Sequence, residues 1–576
     1  MMTDSAITTM RACWHELYGG TADVLLDDFL AEASKIKAGL HFPPHSHGWY
    51  KDAIVYSLYV DLFNGTFEGL IEKLDYLSQL GVTCLWLLPI LDSPMRDAGF
   101  DIRNYNSIRS ELLGLADEAP DAAKQAAFRR FLEEAHKREL RVIFDIALNH
   151  TSEEHRWFRE SRKSPDNPYR DYYIWNRDKN KYKETRLLFK GMCPSNWEAD
   201  GDWFYFHRFF EFQPDLNYRN PKVLIEIGSI LTFWLSQGVD GFRADAIPYI
   251  WKEDGTNCEN LPKTHTIIRF IRALSEYVRP ETLLLAEANQ PPMEVVKYFG
   301  NGDECHAGYH FPLMPQIFKA LAVQQAEPIK QVLHPSVTPE IDSSNQWFLF
   351  LRLHDELTLE MVTPEDRKII HSHYCRDPRW DFRVGEGISA RIADLLDRDP
   401  QKIGLAYSIM LSLPGTPVIY YGDEFGKVND EAYYYEMKKF TGKDDTRFFV
   451  RGHVDWQQVS LDLGKTDSLA SSVNARIKLL LHTRKKHNAF GRGNMNWLDM
   501  HKDNGSPAQQ VLSYTRELAD DKILVINNIS DSPIELLIPS GLMITPGADM
   551  LGNAMVYKAG SELLQLPAWG YAWIKL

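Results

Sequence analysis

The chain has no C-x-x-C pair among its six cysteines, no basic excess, and no run of about 18 uncharged apolar residues. Cys13, Cys84, Cys193, Cys258, Cys305 and Cys375 are scattered, a pattern that fits reduced thiols in a cytosolic protein. With 64 Lys and Arg against 79 Asp and Glu the formal net charge is −15. That balance argues against nucleic acid or an anionic membrane as a partner, since both require a basic face. The opening residues, Met1 to Met10, lack a basic start followed by an apolar run, so no secretory leader is read there. A cytoplasmic protein is expected, with a homo-oligomer left open. Asn149-His150-Thr151 and Asn528-Ile529-Ser530 match the glycosylation pattern but, without a leader, are read as chance. What is present is ample core: 44% hydrophobic and 12% aromatic residues, in a chain of 576 residues that exceeds one ordinary domain.

One stretch organises the rest. Gly238-Val239-Asp240-Gly241-Phe242-Arg243-Ala244-Asp245-Ala246 is an apolar run that ends in an arginine and then an aspartate. Side chains two apart on a strand share a face, so Arg243 and Asp245 are expected side by side. A neighbouring guanidinium should hold the carboxylate ionised and lower its pKa, which suits a nucleophile. Alone, the same pattern is more often that of a structural ion pair.

Residues 1–48 carry helical spacing at Leu25, Leu26, Phe29 and Leu30 and end in the turn-rich linker Pro43-Pro44-His45-Ser46-His47-Gly48. From Ile54 onward, short β-rich runs alternate with helical stretches: Ile54–Leu62, Cys84–Pro89, Val142–Ile146, Gly241–Asp245, Leu283–Glu287, Phe348–Leu353 and Val418–Tyr421. Alternation of this kind predicts parallel strands with right-handed crossovers, and a (β/α)8 barrel is the economical closure. An open doubly wound sheet would be expected to carry a glycine-rich loop after its first strand, and Asp61-Leu62-Phe63-Asn64-Gly65 supplies none. The interval 150–218 is too long for a crossover and rich in aromatics (Trp157, Tyr172, Trp175, Trp197, Trp203, Tyr205); it is read as a domain inserted in a barrel loop. The expected division is therefore a helical lead-in over 1–48, a barrel over 49–149 and 219–492, the insertion over 150–218, and an antiparallel β-sandwich over 493–576.

Polar residues gather where the predicted strands end. Asp145-Ile146-Ala147-Leu148-Asn149-His150 closes one, Arg243 and Asp245 another, Glu287 a third, and His354-Asp355-Glu356 a fourth. In a barrel these ends share the face on which catalysis occurs. A capping or rim ion pair explains any one of them, but not four in a row.

This ordered set resembles the α-amylase family of glycoside hydrolases over nearly the whole chain. The resemblance implies Asp245 as nucleophile, Glu287 as general acid/base and Asp355 as stabiliser of the transition state, with His150, Arg243 and His354 lining the glucose subsite. The physical reading agrees: a retaining glycosidase needs two carboxyl groups about 5–5.5 Å apart, one ionised and one protonated. Leu283-Leu284-Leu285-Ala286 before Glu287 gives apolar surroundings that raise the pKa of an acid. Asp97-Ala98-Gly99-Phe100 matches a family motif whose Asp binds near the sugar 4-hydroxyl and whose aromatic ring stacks on the glucose; Phe100 keeps the stacking face and loses a hydroxyl. Arg451 aligns with an arginine that faces the counterpart of Asp97 and closes the pocket in exo-acting relatives.

Gln213-Pro214-Asp215-Leu216-Asn217 and Ala246 resemble members that act on small α-glucosides. Long stretches, His354 to Val362 and Leu413 to Glu424 among them, resemble the trehalose-synthase branch, whereas Val60 to Gly65 and Asp444-Asp445-Thr446-Arg447 look more like sucrose-active members. The implied activity is exo-acting, retaining glucosyl transfer on maltose, trehalose or sucrose, with an α-glucosidase or a sucrose-active transferase as alternatives. A catalytically silent sugar-binding scaffold is the alternative of another class. No cofactor is required. Calcium, where relatives carry it, would sit on Asn149 and Asp215 with backbone oxygens near Tyr249 and Ile250, but Lys252 stands at the place of a further oxygen ligand. An ammonium there would repel the metal and replace its charge, so no tightly held calcium is expected.

Overall fold

Strands whose side chains are buried on both faces belong in a parallel sheet covered by helices, and eight such strands close into a barrel in the computed structural model. They are β1 (Val55–Leu58), β2 (Cys84–Leu87), β3 (Arg141–Ala147), β4 (Gly241–Asp245), β5 (Leu283–Ala286), β6 (Ala307–Tyr309), β7 (Gln346–Phe350) and β8 (Thr416–Tyr420). The structure describes residues 2–42, 45–189, 191–539, 541, 542, 544, 548–552, 556, 557 and 563–576. Pro43 and Pro44 of the expected linker lie outside them. Each strand pairs with its neighbour in sequence, and β8 returns to β1 with Val55 opposite Val418.

Two strands differ from the sequence reading. β6 spans only three residues, too few for any hydrophobic period to register, and is held by pairing with β5 and β7. The first expected strand, Ile54–Leu62, stops at Leu58; its remainder turns into the helix Val60–Asn64, ended by Gly65 at φ 80°.

Local signals place the crossover before β4. The helix Pro221–Gln237 starts on Asn220, whose side chain accepts the N–H of Lys222, with proline in the first turn. It stops at Gly238, in the left-handed region at φ 105°. Three residues later β4 begins, in register with β3 so that Asp145 lies opposite Arg243 and Ala147 opposite Asp245.

Outside the barrel, the N-terminal helices α1 (Met2–Tyr18) and α2 (Asp23–Ala38) pack on the helix Pro262–Val278. Trp14 and Phe29 bring their rings within 6.3 and 6.5 Å of Phe270. Burying side chains of this kind stabilises by about 1.5–3 kcal/mol each. Within the long interval after β3, Trp175–Asn176, Trp203–Phe206 and Trp197–Asp200 form a three-stranded antiparallel sheet. At the C-terminal end two four-stranded antiparallel sheets face each other across Leu524, Ile526, Leu536, Leu564 and Ile574. The other side of the first sheet is fastened to the barrel helix Pro400–Ser412: Trp573 donates to Ser408 at 3.0 Å, and Tyr514 meets Ser412 at 2.7 Å. All six cysteines are free thiols. Among the described residues no helix is long and apolar enough to cross a membrane.

Gly241 opens β4 where a Cβ would lie 2.5 Å from the carbonyl oxygen of Leu283 and 3.1 Å from Ile143 Cγ2. Gly241→Ala is expected to lower the melting temperature through an overpacking cost of about 1–3 kcal/mol. Thermal denaturation checks this, and an unchanged midpoint would mean that β4 has room to spare.

Candidate active site

The polar strand ends converge on one cavity of about 150 Å³ at the C-terminal face of the barrel, lined among others by Asp97, Phe100, His150, Asp245, Glu287 and His354. It is smaller than the roughly 300–1,000 Å³ of ordinary ligand clefts. The cavity is therefore small.

At its centre is Arg243. The strand period turns its side chain to the same face as Asp145 on β3 and Asp245 on β4, and one guanidinium nitrogen contacts both: Asp145 closely, and Asp245 at 2.8 Å. Asp145 also accepts the indole N–H of Trp86 at 2.8 Å. Ala246, next along, has φ 58°. That left-handed conformation is uncommon for a residue with a Cβ, and with it the amide N–H of Ala246 reaches Glu287 Oε2 at 3.1 Å. Glu287 follows β5 directly and its own N–H donates to Ala244. The backbone pairing thus sets Asp245 and Glu287 side by side.

Burial pushes Asp245 up to about 7; Arg243 opposes it and the charge of Glu287 adds to it. This corrects the expectation that Arg243 would hold Asp245 below the usual carboxylate range, because the loss of solvent outweighs one guanidinium. Burial raises Glu287 as well. Two adjacent carboxyls raised together titrate as a pair that keeps one proton. Only Asp245 takes a hydrogen bond from a guanidinium; Glu287 takes one from a neutral amide. The anion therefore resides on Asp245 and the proton on Glu287.

Asp355 follows β7. Only partly buried, it is held well below the ordinary range, against the raising effect of lost solvent, by His354 at 3.1 Å, Arg447 at 3.2 Å and Arg451 at 3.3 Å. His354 stacks on Phe100, ring centres 5.5 Å apart. His150 meets Gln213 at 3.3 Å, and Gln213 donates to Asp97 at 3.0 Å. The Asp97 loop is tied by Asp101, which accepts Ser93 Oγ and the amides of Arg96 and Asp97.

Arg451 requires a correction. It makes no ion pair with Asp97: it is 1% exposed, its Nε donates to the carbonyl of His354 at 2.9 Å, and it reaches Asp355 at 3.3 Å. The arginine that meets Asp97, at 3.4 Å, is Arg447, gripped in turn by Asp445 at 2.6 Å. Arg447 stands in the Asp444-Asp445-Thr446-Arg447 motif, a signal legible in the sequence but read there only as a mark of subgroup. Sequence reasoning also missed the far rim. Arg186, from the long interval after β3, pairs with Glu259 at 2.9 Å and reaches across to Glu360, which also accepts from Asn289 at 3.3 Å. No strand-end pattern marks these residues.

For a cation, the donor set is already taken. The ammonium of Lys252, 4% exposed, donates to Asn149 Oδ1 at 2.6 Å and pairs with Asp215 Oδ2 at 2.8 Å. Tyr249 and Ile250 follow in the turn after Asp245, with Tyr249 on the cavity wall. Among the described residues no group of three or more His, Cys, Asp or Glu is arranged to hold a metal. The residues present do not fit a calcium ion.

A model of the alpha amylase catalytic domain matches residues 45–503, and one of the maltogenic amylase C-terminal domain matches residues 505–573. The trehalose synthase/amylase TreS of Mycobacterium tuberculosis is 39% identical over 571 residues, covering 92% of this chain and 91% of that protein. The trehalose synthase of Pimelobacter sp. is 38% identical over 577 residues, covering 92% and 96%. Among solved structures, the trehalulose synthase MutB of Pseudomonas mesoacidophila MX-45 has a TM-score of 0.68 at 23% identity, covering 92% of this chain and all of that one. That likeness is one of fold.

The proton held by the Asp245 and Glu287 pair makes a pH prediction. A raised pKa keeps Glu287 in its acid form above the ordinary carboxylate range, so kcat/KM for an α-glucoside should fall with a single-proton dependence as pH rises through that raised pKa. A profile flat to high pH would remove the shared proton from the reaction.

Proposed function

The chain belongs to the α-amylase family, and from that premise we propose a trehalose-synthase-like retaining enzyme that interconverts maltose and trehalose by moving one glucosyl unit within a closed site. Ionised Asp245 attacks the anomeric carbon while Glu287 gives its proton to the departing oxygen, leaving a β-glucosyl ester on Asp245. The released glucose turns and presents its anomeric hydroxyl. A new C–O bond forms, the ester bond breaks, and the hydroxyl proton passes to Glu287. Asp355, kept ionised by His354, Arg447 and Arg451, is placed to take sugar hydroxyls, and Arg447 on Asp97 ends the pocket beyond one glucose.

The observation that carries this reading is an ion pair across the rim of the cavity. Arg186 spans from the inserted segment to Glu360 on the loop after β7, bridging the mouth of a cavity of about 150 Å³. Water competes with the released sugar for the same ester, so isomerisation needs water kept out and the acceptor kept in. Separate incubation with maltose, trehalose and sucrose tests it. Maltose and trehalose should interconvert with little free glucose. Release of fructose from sucrose as the main activity, or no turnover of any of the three, would overturn it.

The same reading assigns no role to calcium, since Lys252 supplies the positive charge between Asn149 and Asp215. EDTA is expected to leave turnover and melting temperature unchanged. Lys252→Met, which strands the buried carboxylate of Asp215, should cost about 3–5 kcal/mol in denaturant unfolding. A metal-dependent rise in the wild-type melting temperature would return the cation to this place.

A further inference from the structure

Beyond Glu356 the chain is tied to a hairpin that the reaction scheme leaves without a task. Leu357–Thr358 pairs antiparallel with Gly387–Ile388, and this pairs with Asp381–Phe382. The hairpin sits directly on the site: a Cβ on Gly387 would lie 2.4 Å from Glu356 Cγ. Its turn, Arg383-Val384-Gly385, runs through φ of 51°, 55° and 90°. Glycine suits such values, but an arginine and a β-branched valine do not. Val384 recovers nothing by packing, since it is 93% exposed. Strain of this sort persists where the surroundings over-determine it, and it gathers at functional sites.

What the turn delivers is the side chain of Arg383, which lines the cavity. Its guanidinium lies 4.9 Å from the ring centre of Phe189 and 3.7 Å from Glu360. Among the described residues it donates no hydrogen bond, and its buried Nε has no partner. An anchoring arginine would be hydrogen-bonded; the tip is anchored instead by Asp381, which accepts the amide of Gly385 at 2.8 Å and meets His371 at 2.8 Å. The other arginines of the cavity wall are committed: Arg243 to Asp145 and Asp245, Arg447 to Asp445 and Asp97, Arg186 to Glu259 and Glu360. Arg383 faces the same Glu360 that Arg186 reaches.

We propose that Arg383 is a hydroxyl-binding residue of the acceptor subsite, which grips the released glucose and so sets how the glucosyl ester of Asp245 divides between sugar and water. This rests on the reading above. In both branches the ester C–O bond breaks, a bond from the anomeric carbon to the acceptor oxygen forms, and the acceptor's proton goes to Glu287. Only the acceptor differs.

The test is the ratio of trehalose to free glucose formed from maltose by the full-length chain. Arg383→Gln should lower that ratio about tenfold or more, the effect of losing one hydrogen bond from a charged donor, and Arg383→Lys should restore part of it. Because both products come from one intermediate, the ratio is blind to how fast the intermediate forms. A hairpin that merely supports loops would lower total turnover at an unchanged ratio, and that result would overturn the proposal. Val384→Gly keeps the guanidinium and relaxes the turn, so it should keep the wild-type ratio; a fall equal to that of Arg383→Gln would assign the effect to the turn instead. A wild-type chain that makes no trehalose from maltose defeats the preceding reading, whereas normal wild-type conversion with an unaltered Arg383→Gln ratio defeats only this one.

Discussion

The contact on which the site depends is that of a single guanidinium shared by two carboxylates on adjacent strands. Arg243 touches Asp145 and Asp245 with one nitrogen, inside a barrel end from which solvent is nearly excluded. Removing a charge from water is costly, and such pairing persists only where hydrogen bonds and geometry are supplied from outside the pair. Here the β3–β4 register supplies the geometry, since Asp145 lies opposite Arg243 and Ala147 opposite Asp245. The indole of Trp86 supplies a further donor.

The consequence is a division of labour between two carboxyls that burial treats alike. Both Asp245 and Glu287 are pushed up by loss of solvent, so desolvation cannot tell nucleophile from acid. The difference lies in their donors: a guanidinium that stays charged for Asp245 and a backbone amide for Glu287. That amide points at Glu287 because Ala246 adopts a left-handed conformation. Asp355 lies at the opposite extreme, held low by His354 and two arginines. Within one cavity two carboxyls are thus pushed up by burial and a third is held down by its cationic neighbours.

A second theme is fixed positive charge used where other solutions exist. Lys252 lies between Asn149 and Asp215, where its ammonium supplies a buried positive charge. Arg186 crosses from the inserted segment to Glu360, and Arg447 braces Asp97 at the closed end. Arginines therefore brace the cavity wall at Asp97 and at Glu360, although the chain as a whole carries a formal charge of −15.

The sequence by itself determined the strand-end chemistry, because residues that share a strand share its period: Arg243 with Asp245, Glu287 after four apolar residues, His354 beside Asp355. It also determined the barrel, from alternation repeated often enough to leave one economical closure, and it brought Lys252 into question as an ammonium among expected oxygen ligands. Tertiary structure decided everything that depends on segments remote in the chain. β6 has three residues and exists only because β5 and β7 pair with it. Arg447 and Arg451 both reach Asp355, but only Arg447 also pairs with Asp97, and a spacing of four residues does not carry that information. The proton affinity of Asp245 was misjudged for the same reason: a neighbour two residues away is visible in the sequence, whereas the solvent removed by the folded barrel is not.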